Sequence, residues 1–159
     1  MKTKKSWREK LADSKGLPKV STVDPSCMST RWGTGRMVIP APIEVDELMR
    51  QVPKGKLATI NELRDRLARK HAANFCCPMT TGIFAWIAAH AAEESATAGA
   101  KRITPYWRTL KSGGQINEKY PGGIAAIRRH LRAEGHTVVK KGKRFLVADF
   151  EKALHRFRG

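Results

Sequence analysis

Residues 59–94, TINELRDRLARKHAANFCCPMTTGIFAWIAAHAAEE, carry two helical patterns separated by a connection of a few residues. Thr59-Ile-Asn-Glu62 has the form of a capping box, in which the threonine hydroxyl accepts from a first-turn N–H and the glutamate reaches back to the threonine N–H. A helix is therefore expected from Ile60 to about Ala72, with Ile60, Leu63 and Leu67 inward and Arg64, Arg66, Arg69 and Lys70 mostly outward. After the linker Ala73–Cys77, Pro78 suits the first helical position, where its missing N–H costs nothing, and a second helix is expected over 78–94. At about 100° per residue its sides are unequal. Thr80, Ile83, Phe84, Ile87 and Ala91 fall together as a core stripe, and Gly82, Ala85, Ala89 and Ala92 form a face of small residues. Such a face suits either the close packing of another helix or the close approach of a nucleic-acid backbone. Two helices joined tightly and preceded by a third make a helix-turn-helix, which favours the second use.

That third helix begins near Ile43. Ile43, Val45, Leu48, Met49 and Val52 share one face, Glu44, Asp46 and Glu47 sit in the first turn where acids favour the helix dipole, and Pro53 and Gly55 end it. Upstream, residues 1–40 read as an arm: a short basic helix around Trp7 and Leu11, breakers at Gly16, Pro18, Pro25, Gly33 and Gly35, and a short strand at Arg36–Ile39. Downstream, Ser95–Ala100 is a linker and residues 103–123 are loop-rich. A helix is expected from about Gly123 to Glu134, with Ile124, Ile127 and Leu131 inward, Arg128, Arg129 and Arg132 outward and Gly135 just past its end. Thr137–Val139, the turn KKGK and Arg144–Val147 read as a hairpin, followed by a last short helix over Asp149–Phe157. The expected class is mainly α with small β pieces: an arm (1–40), a helical domain (41–135), and a basic hairpin plus helix (136–159) appended to it.

Charge supports a polyanionic partner. The 159 residues hold 31 Lys+Arg against 14 Asp+Glu, a formal charge of +17. Residues 1–40 carry nine basic and three acidic side chains, residues 41–100 seven of each, and residues 101–159 fifteen and four. Basic flanks around a neutral helical centre are the electrostatic footprint of a nucleic-acid binder rather than of general solubility. No apolar run approaches the roughly 18–20 residues that span a bilayer, and MKTKKSWREK has no apolar stretch behind its basic residues, so no membrane partner and a cytoplasmic, nucleoid-associated location are expected. Three cysteines (Cys27, Cys76, Cys77), two of them adjacent, suggest neither a disulfide framework nor a zinc knuckle. His71, His90, His130, His136 and His155 show no metal-ligand spacing, and no cofactor is expected.

The order of motifs from Ile43 to Gly135 resembles the DNA-binding, active-site domain of the alkylguanine-DNA alkyltransferases and alkyltransferase-like proteins. The family's VPxGxVxTYxxIA element is matched by VPKGKLATINEL (Val52–Leu63), its IPCHRVV element by ITPYWRTL (Ile103–Leu110), and its GxLxGYxxGxxxKxxLLxxEG element by GGQINEKYPGGIAAIRRHLRAEG (Gly113–Gly135). The resemblance implies a winged helix-turn-helix that binds the minor groove of double-stranded DNA through a helix lined with small residues. It makes Thr80, Thr81, Gly82, Ala85 and Ala89 the candidate DNA face, with Arg108, Lys111, Lys140, Lys141 and Lys143 as candidate phosphate contacts.

The departures shape the functional expectation. In the alkyltransferases the cysteine of PCHR takes the alkyl group, its thiolate prepared by the following histidine. Here Pro105 and Arg108 match, but Tyr106 and Trp107 stand in those two places. A phenol with a pKa of about 10 is a poor nucleophile toward an alkyl ether, and an indole has no basic nitrogen. Glu134 matches the family's glutamate but lacks its two partners. Ile60 stands where the family's phosphate-rotating tyrosine would be, and Thr81 or Gly82 where its stack-filling arginine would be. Pro105, Tyr106, Trp107 and Arg108 then outline a remnant pocket, which Tyr106 and Trp107 either fill or offer as a stacking surface. The expectation is DNA binding without transfer. Two alternatives remain open: an alkyltransferase that uses Cys76 or Cys77, whose thiolate the helix start at Pro78 would favour, and a basic RNA-binding protein. Trp86 and Trp32 are expected to pack within the protein.

Overall fold

A twenty-residue helix, Pro78–Thr97, is the spine on which the three helices before it lie. The computed structural model describes residues 5–23 and 35–157, so Cys27, Trp32 and part of the arm lie outside the described residues. In chain order the elements are α1 (Trp7–Ala12), β1 (Lys19–Val23), β2 (Gly35–Ile39), α2 (Pro42–Gln51), β3 (Ala58–Thr59), α3 (Ile60–Lys70), β4 (Phe75–Cys76), α4 (Pro78–Thr97), β5 (Thr109–Leu110), α5 (Gly123–Ala133), β6 (Val138–Lys141) and β7 (Arg144–Val147). The class is mixed α and β, with five α-helices and three small sheets among the described residues. No described helix is long and apolar enough to cross a membrane.

The capping box forms: Asn61 N donates to Thr59 Oγ1 at 3.2 Å, Thr59 N donates to Glu62 Oε2 at 2.8 Å, and the Thr59 hydroxyl also bonds that carboxylate. At the start of α2, Glu44 does the second half of this job alone, accepting from Ala41 N at 3.0 Å because Ala41 has no side-chain oxygen. The same carboxylate receives Lys70 and His71, each at 2.7 Å, and so ties the start of α2 to the end of α3. Asp46, equally buried, accepts from Thr104 Oγ1 at 2.6 Å and Arg50 Nε at 2.8 Å. Both buried carboxylates are thus satisfied, as burial demands.

The connection between α3 and α4 is held from outside. β4 lies parallel to β2 (Val38 opposite Cys76), and β1 pairs antiparallel with β2 from Lys19↔Ile39 to Val23↔Gly35. Arg36 N donates to Asn74 Oδ1 at 2.8 Å, and Cys77 N donates to Val38 O at 3.0 Å. Gly35 sits at φ 93°, and a Cβ there would strike the Asn74 side chain, so the glycine lets β2 close on the turn. α1 stands on α4 as well: Trp7 stacks on His90 with centroids 4.5 Å apart and meets Trp86 edge-on at 4.7 Å. Glu94 accepts from the N–H groups of Trp7 and Arg8 at 3.2 Å each, supplying acceptors for the exposed start of α1.

The segment expected as loop after residue 103 contains a 3-10 turn (Tyr106–Arg108) and β5, which pairs parallel with β3 (Thr59 opposite Leu110). β6 and β7 form the expected hairpin, from Val138↔Val147 to Lys141↔Arg144, and Ile116 N anchors it by donating to Phe145 O at 2.8 Å. The expected helix over Asp149–Phe157 is reduced to a 3-10 turn at Phe150–Ala153. Asp149 at φ 54° interrupts it before, and Leu57 captures the chain after: Leu57 N donates to Ala153 O at 2.8 Å, and Leu57 O accepts from His155 N at 2.7 Å.

Candidate nucleic-acid interface

The remnant pocket is closed. Tyr106 is 2% exposed, and its hydroxyl donates to Glu93 Oε2 at 3.0 Å. Burial, with the Glu93 charge beside it, pushes the phenol further up. Tyr120 and His130 meet its ring edge-on, at 6.0 and 6.5 Å. Trp107 lies flat on His130, with centroids 4.0 Å apart and planes 11° apart, and donates Nε1–H to Glu134 Oε2 at 2.8 Å. Of the two readings of this pair, the packed one describes Tyr106, whose face is covered on every side.

Arg108, expected as a phosphate contact, is engaged inside the protein. Its Nε and Nη2 grip Glu134, the latter at 2.8 Å, and Nη1 donates to Val52 O at 2.8 Å. With 14% of its side chain exposed, the guanidinium is committed to a bidentate internal pair. Burial alone would raise the Glu134 carboxyl, but the bonds from Arg108 and Trp107 outweigh it and hold the group below its usual range. Buried Pro105 leads into this turn, which has become a structural clasp.

Cys76 offers no ready nucleophile. Burial pushes its thiol up to about 11, and Sγ sits 3.2 Å from Thr81 Oγ1. Desolvation penalises the thiolate and is the largest influence on this thiol, which runs against the helix-start argument. Cys77 is also buried, and its carbonyl accepts from Thr81 Oγ1 at 2.7 Å.

On α4 the structure covers both expected faces: Phe84, Ile87 and Ala91 of the core stripe are buried as expected, and most of the small-residue face is buried with them. Thr81, Ala85 and Ala89 are fully buried and Ala92 nearly so, while Ile83, placed in the core stripe, is 48% exposed. α4 is enclosed on more than half its circumference, with α2 and the 106–108 turn against it, and the small residues are what permit that approach. Gly82 stays near the surface, with open space where a Cβ would stand, and Thr80 is half-buried, its hydroxyl 3.5 Å from Cys77 O. Sequence reasoning missed Met79, Ile83, Trp86 and Lys119. The signal was present, since Met79, Ile83, Gly82 and Trp86 share the arc opposite Phe84 and Ala88 on the helical wheel.

These residues wall an open groove of about 580 Å³ between α4, the start of α3 and the segment 111–119. Ile60, Met79, Ile83 and Trp86 make its apolar floor; Arg64, Lys111 and Lys119 stand at its sides with Asn61, Ser112 and Asn117, and no carboxylate lines it. Lys119 O accepts from Trp86 Nε1 at 3.2 Å, which fixes the ring. Lys140, Lys141, Lys143 and Arg144 are exposed on the hairpin around Gly142, and Lys140 reaches over the Phe145 ring at 5.7 Å.

No family model matches the chain, and no curated protein matches it. Among solved structures it is similar to S. pombe Atl1 in complex with damaged DNA containing O6-carboxymethylguanine, with 16% identity and a TM-score of 0.48 over 72% of this chain and 94% of that one. It is also similar to S. pombe ATL in complex with DNA, with 15% identity and a TM-score of 0.46 over the same shares.

Proposed function

We propose that this chain is a binder of double-stranded DNA of the alkyltransferase-like kind, acting without alkyl transfer. The observation that carries the binding is the groove beside α4, where an exposed helix face in a helix-turn-helix setting is flanked by Arg64, Lys111 and Lys119 with no carboxylate among its lining residues. The hairpin lysines extend this basic surface toward further phosphates, giving affinity with little base information. Absence of transfer is supported by Tyr106 filling the nucleophile position with its hydroxyl committed to Glu93, and by the raised Cys76 thiol. A role in flagging altered DNA follows from the motif resemblance and belongs to the same proposal.

Competition binding of duplex DNA, structured RNA and single strands at two salt concentrations tests the reading. Duplex is expected to compete best, with affinity falling steeply as salt rises; tight RNA binding with weak duplex binding would reverse it. Incubation with duplex carrying a labelled alkyl group is expected to leave the protein unlabelled. Stoichiometric label that disappears in Cys76→Ser or Cys77→Ser would establish the transferase instead.

A further inference from the structure

Ile43 is the one member of the apolar face expected for α2 that solvent reaches: it is 43% exposed, while Val45, Leu48, Met49 and Val52 are buried. It lines a crevice of about 240 Å³ between α1, α2, the end of α4 and the segment 100–104. Leu11, Ile43, Ile103 and the small side chains of Ala91 and Ala92 make its apolar lining. Three arginines, Arg8, Arg50 and Arg102, line it with one carboxylate, Asp46. Asp46 is already bonded by Thr104 and Arg50, whereas Arg8 and Arg102 form no ion pair among the described residues. At about 100° per residue, Ala91, Ala92 and Ser95 lie on the opposite side of α4 from Met79, Ile83 and Trp86, so this crevice and the groove are separate surfaces.

We infer that the crevice docks an acidic segment of a partner protein, with one bulky apolar side chain of that segment as its anchor. The volume lies below the roughly 300–1,000 Å³ of small-molecule pockets and suits a single buried side chain. An apolar pit flanked by arginines has the anatomy of an interface anchor, with an apolar centre inside a polar rim. Charge selects the partner. Carboxylates offer Arg8 and Arg102 the planar, two-point contact that a guanidinium favours. A phosphate backbone would meet the charge but leave the apolar lining empty, and a chain of net charge +17 repels a second copy of itself. An occupant spans α1 and α2 together, so its arrival also holds α1 against the rest of the protein.

The test uses the full chain and fluorescein-labelled peptides Asp-Glu-Glu-X-Leu-Glu-Asp, in which X is Leu, Ile, Met, Phe or Trp, with a control carrying Ser-Ser in place of X-Leu. At least one apolar peptide is expected to bind about tenfold more tightly than the control and to slow amide hydrogen exchange in Arg8–Ala12. Ile43→Ser, and separately Arg8→Ala/Arg102→Ala, each checked for unchanged thermal unfolding, are expected to weaken that peptide about tenfold and leave duplex DNA binding as it was. Failure of the whole peptide set to bind would overturn the docking site. Equal binding of the control, or full affinity in Ile43→Ser, would show attraction by net charge alone and overturn it as well. Loss of duplex or anionic-vesicle binding in these variants would assign the crevice to nucleic acid or membrane, and a dimer that Ile43→Ser dissociates would assign it to a second copy; each result would overturn the proposal. The outcome is independent of the duplex-binding reading, which the groove on the other side of α4 carries.

Discussion

The indole N–H of Trp107 donates to the Glu134 carboxylate at 2.8 Å, joining the 106–108 turn to the end of α5. Arg108 meets the same carboxylate, so one acid neutralises a guanidinium and satisfies an indole in a largely buried place.

Replacing Glu134 by Gln leaves the Arg108 charge buried without a counter-ion and is expected to cost about 3 kcal/mol, read from the denaturant midpoint. Because the folded pKa of Glu134 lies below its unfolded value, its contribution is fully present above the ordinary carboxylate range and is lost as pH falls through the folded value. The variant should therefore show a shallower decline of stability in acid.

His130 and His136 are both held below the usual imidazole range, chiefly by burial. The unfolded chain then takes up protons first, so stability is fully present above the unfolded value of 6.5 and falls as pH drops below it. His130→Phe, which keeps an aromatic ring against Trp107, should remove part of this slope in unfolding measured between neutral and mildly acid pH.

Tyr106→Ala should cost about 3–5 kcal/mol, since it empties an enclosed aromatic site. Tyr106→Phe removes only the bond to exposed Glu93 and should cost about 1 kcal/mol. Thermal unfolding of the two variants separates filling from hydrogen bonding, and equal losses would contradict the closed pocket.

Replacing Lys140, Lys141 and Lys143 together by Ala should leave stability within about 0.5 kcal/mol. If each lysine neutralises one phosphate, the slope of log K against log salt should fall by about 0.9 for each, up to about 2.7 in all. An unchanged slope would show that the hairpin does not reach the duplex.

Gly82→Ala should raise stability by about 0.5–1 kcal/mol, because alanine is the better helix former and the structure leaves its methyl free space. If DNA approaches that surface closely, the same methyl should weaken duplex binding. A stabilised variant with unaltered affinity would move the interface off this face.

What the sequence revealed and what it hid divide along physical lines. Capping at Thr59–Glu62, Pro78 at a helix start and Gly135 at a helix end are local, and the structure has each of them. The faces of α4 are not local. Its alanines suit both close packing and an outer surface, and only the approach of α2 and the 106–108 turn decides that Ala85 and Ala89 are covered while Ile83 is not. The engagement of Arg108 was hidden for the same reason, since a local sequence match says nothing of the Glu134 carboxylate 26 residues onward. The groove walls came from segments far apart in sequence, so no window of residues displayed them together.

The shelf made by Trp86, His90 and Glu94 gives α1 a dependent existence. Six residues with no buried side chain cannot hold a helix alone in water, so α1 should peel away in a local opening well below the global unfolding free energy. Trp86 touches Trp7 at one edge and walls the groove at another. A ligand that shifts this ring therefore alters the seat of α1, and Trp7 emission becomes a built-in reporter of what occupies the groove.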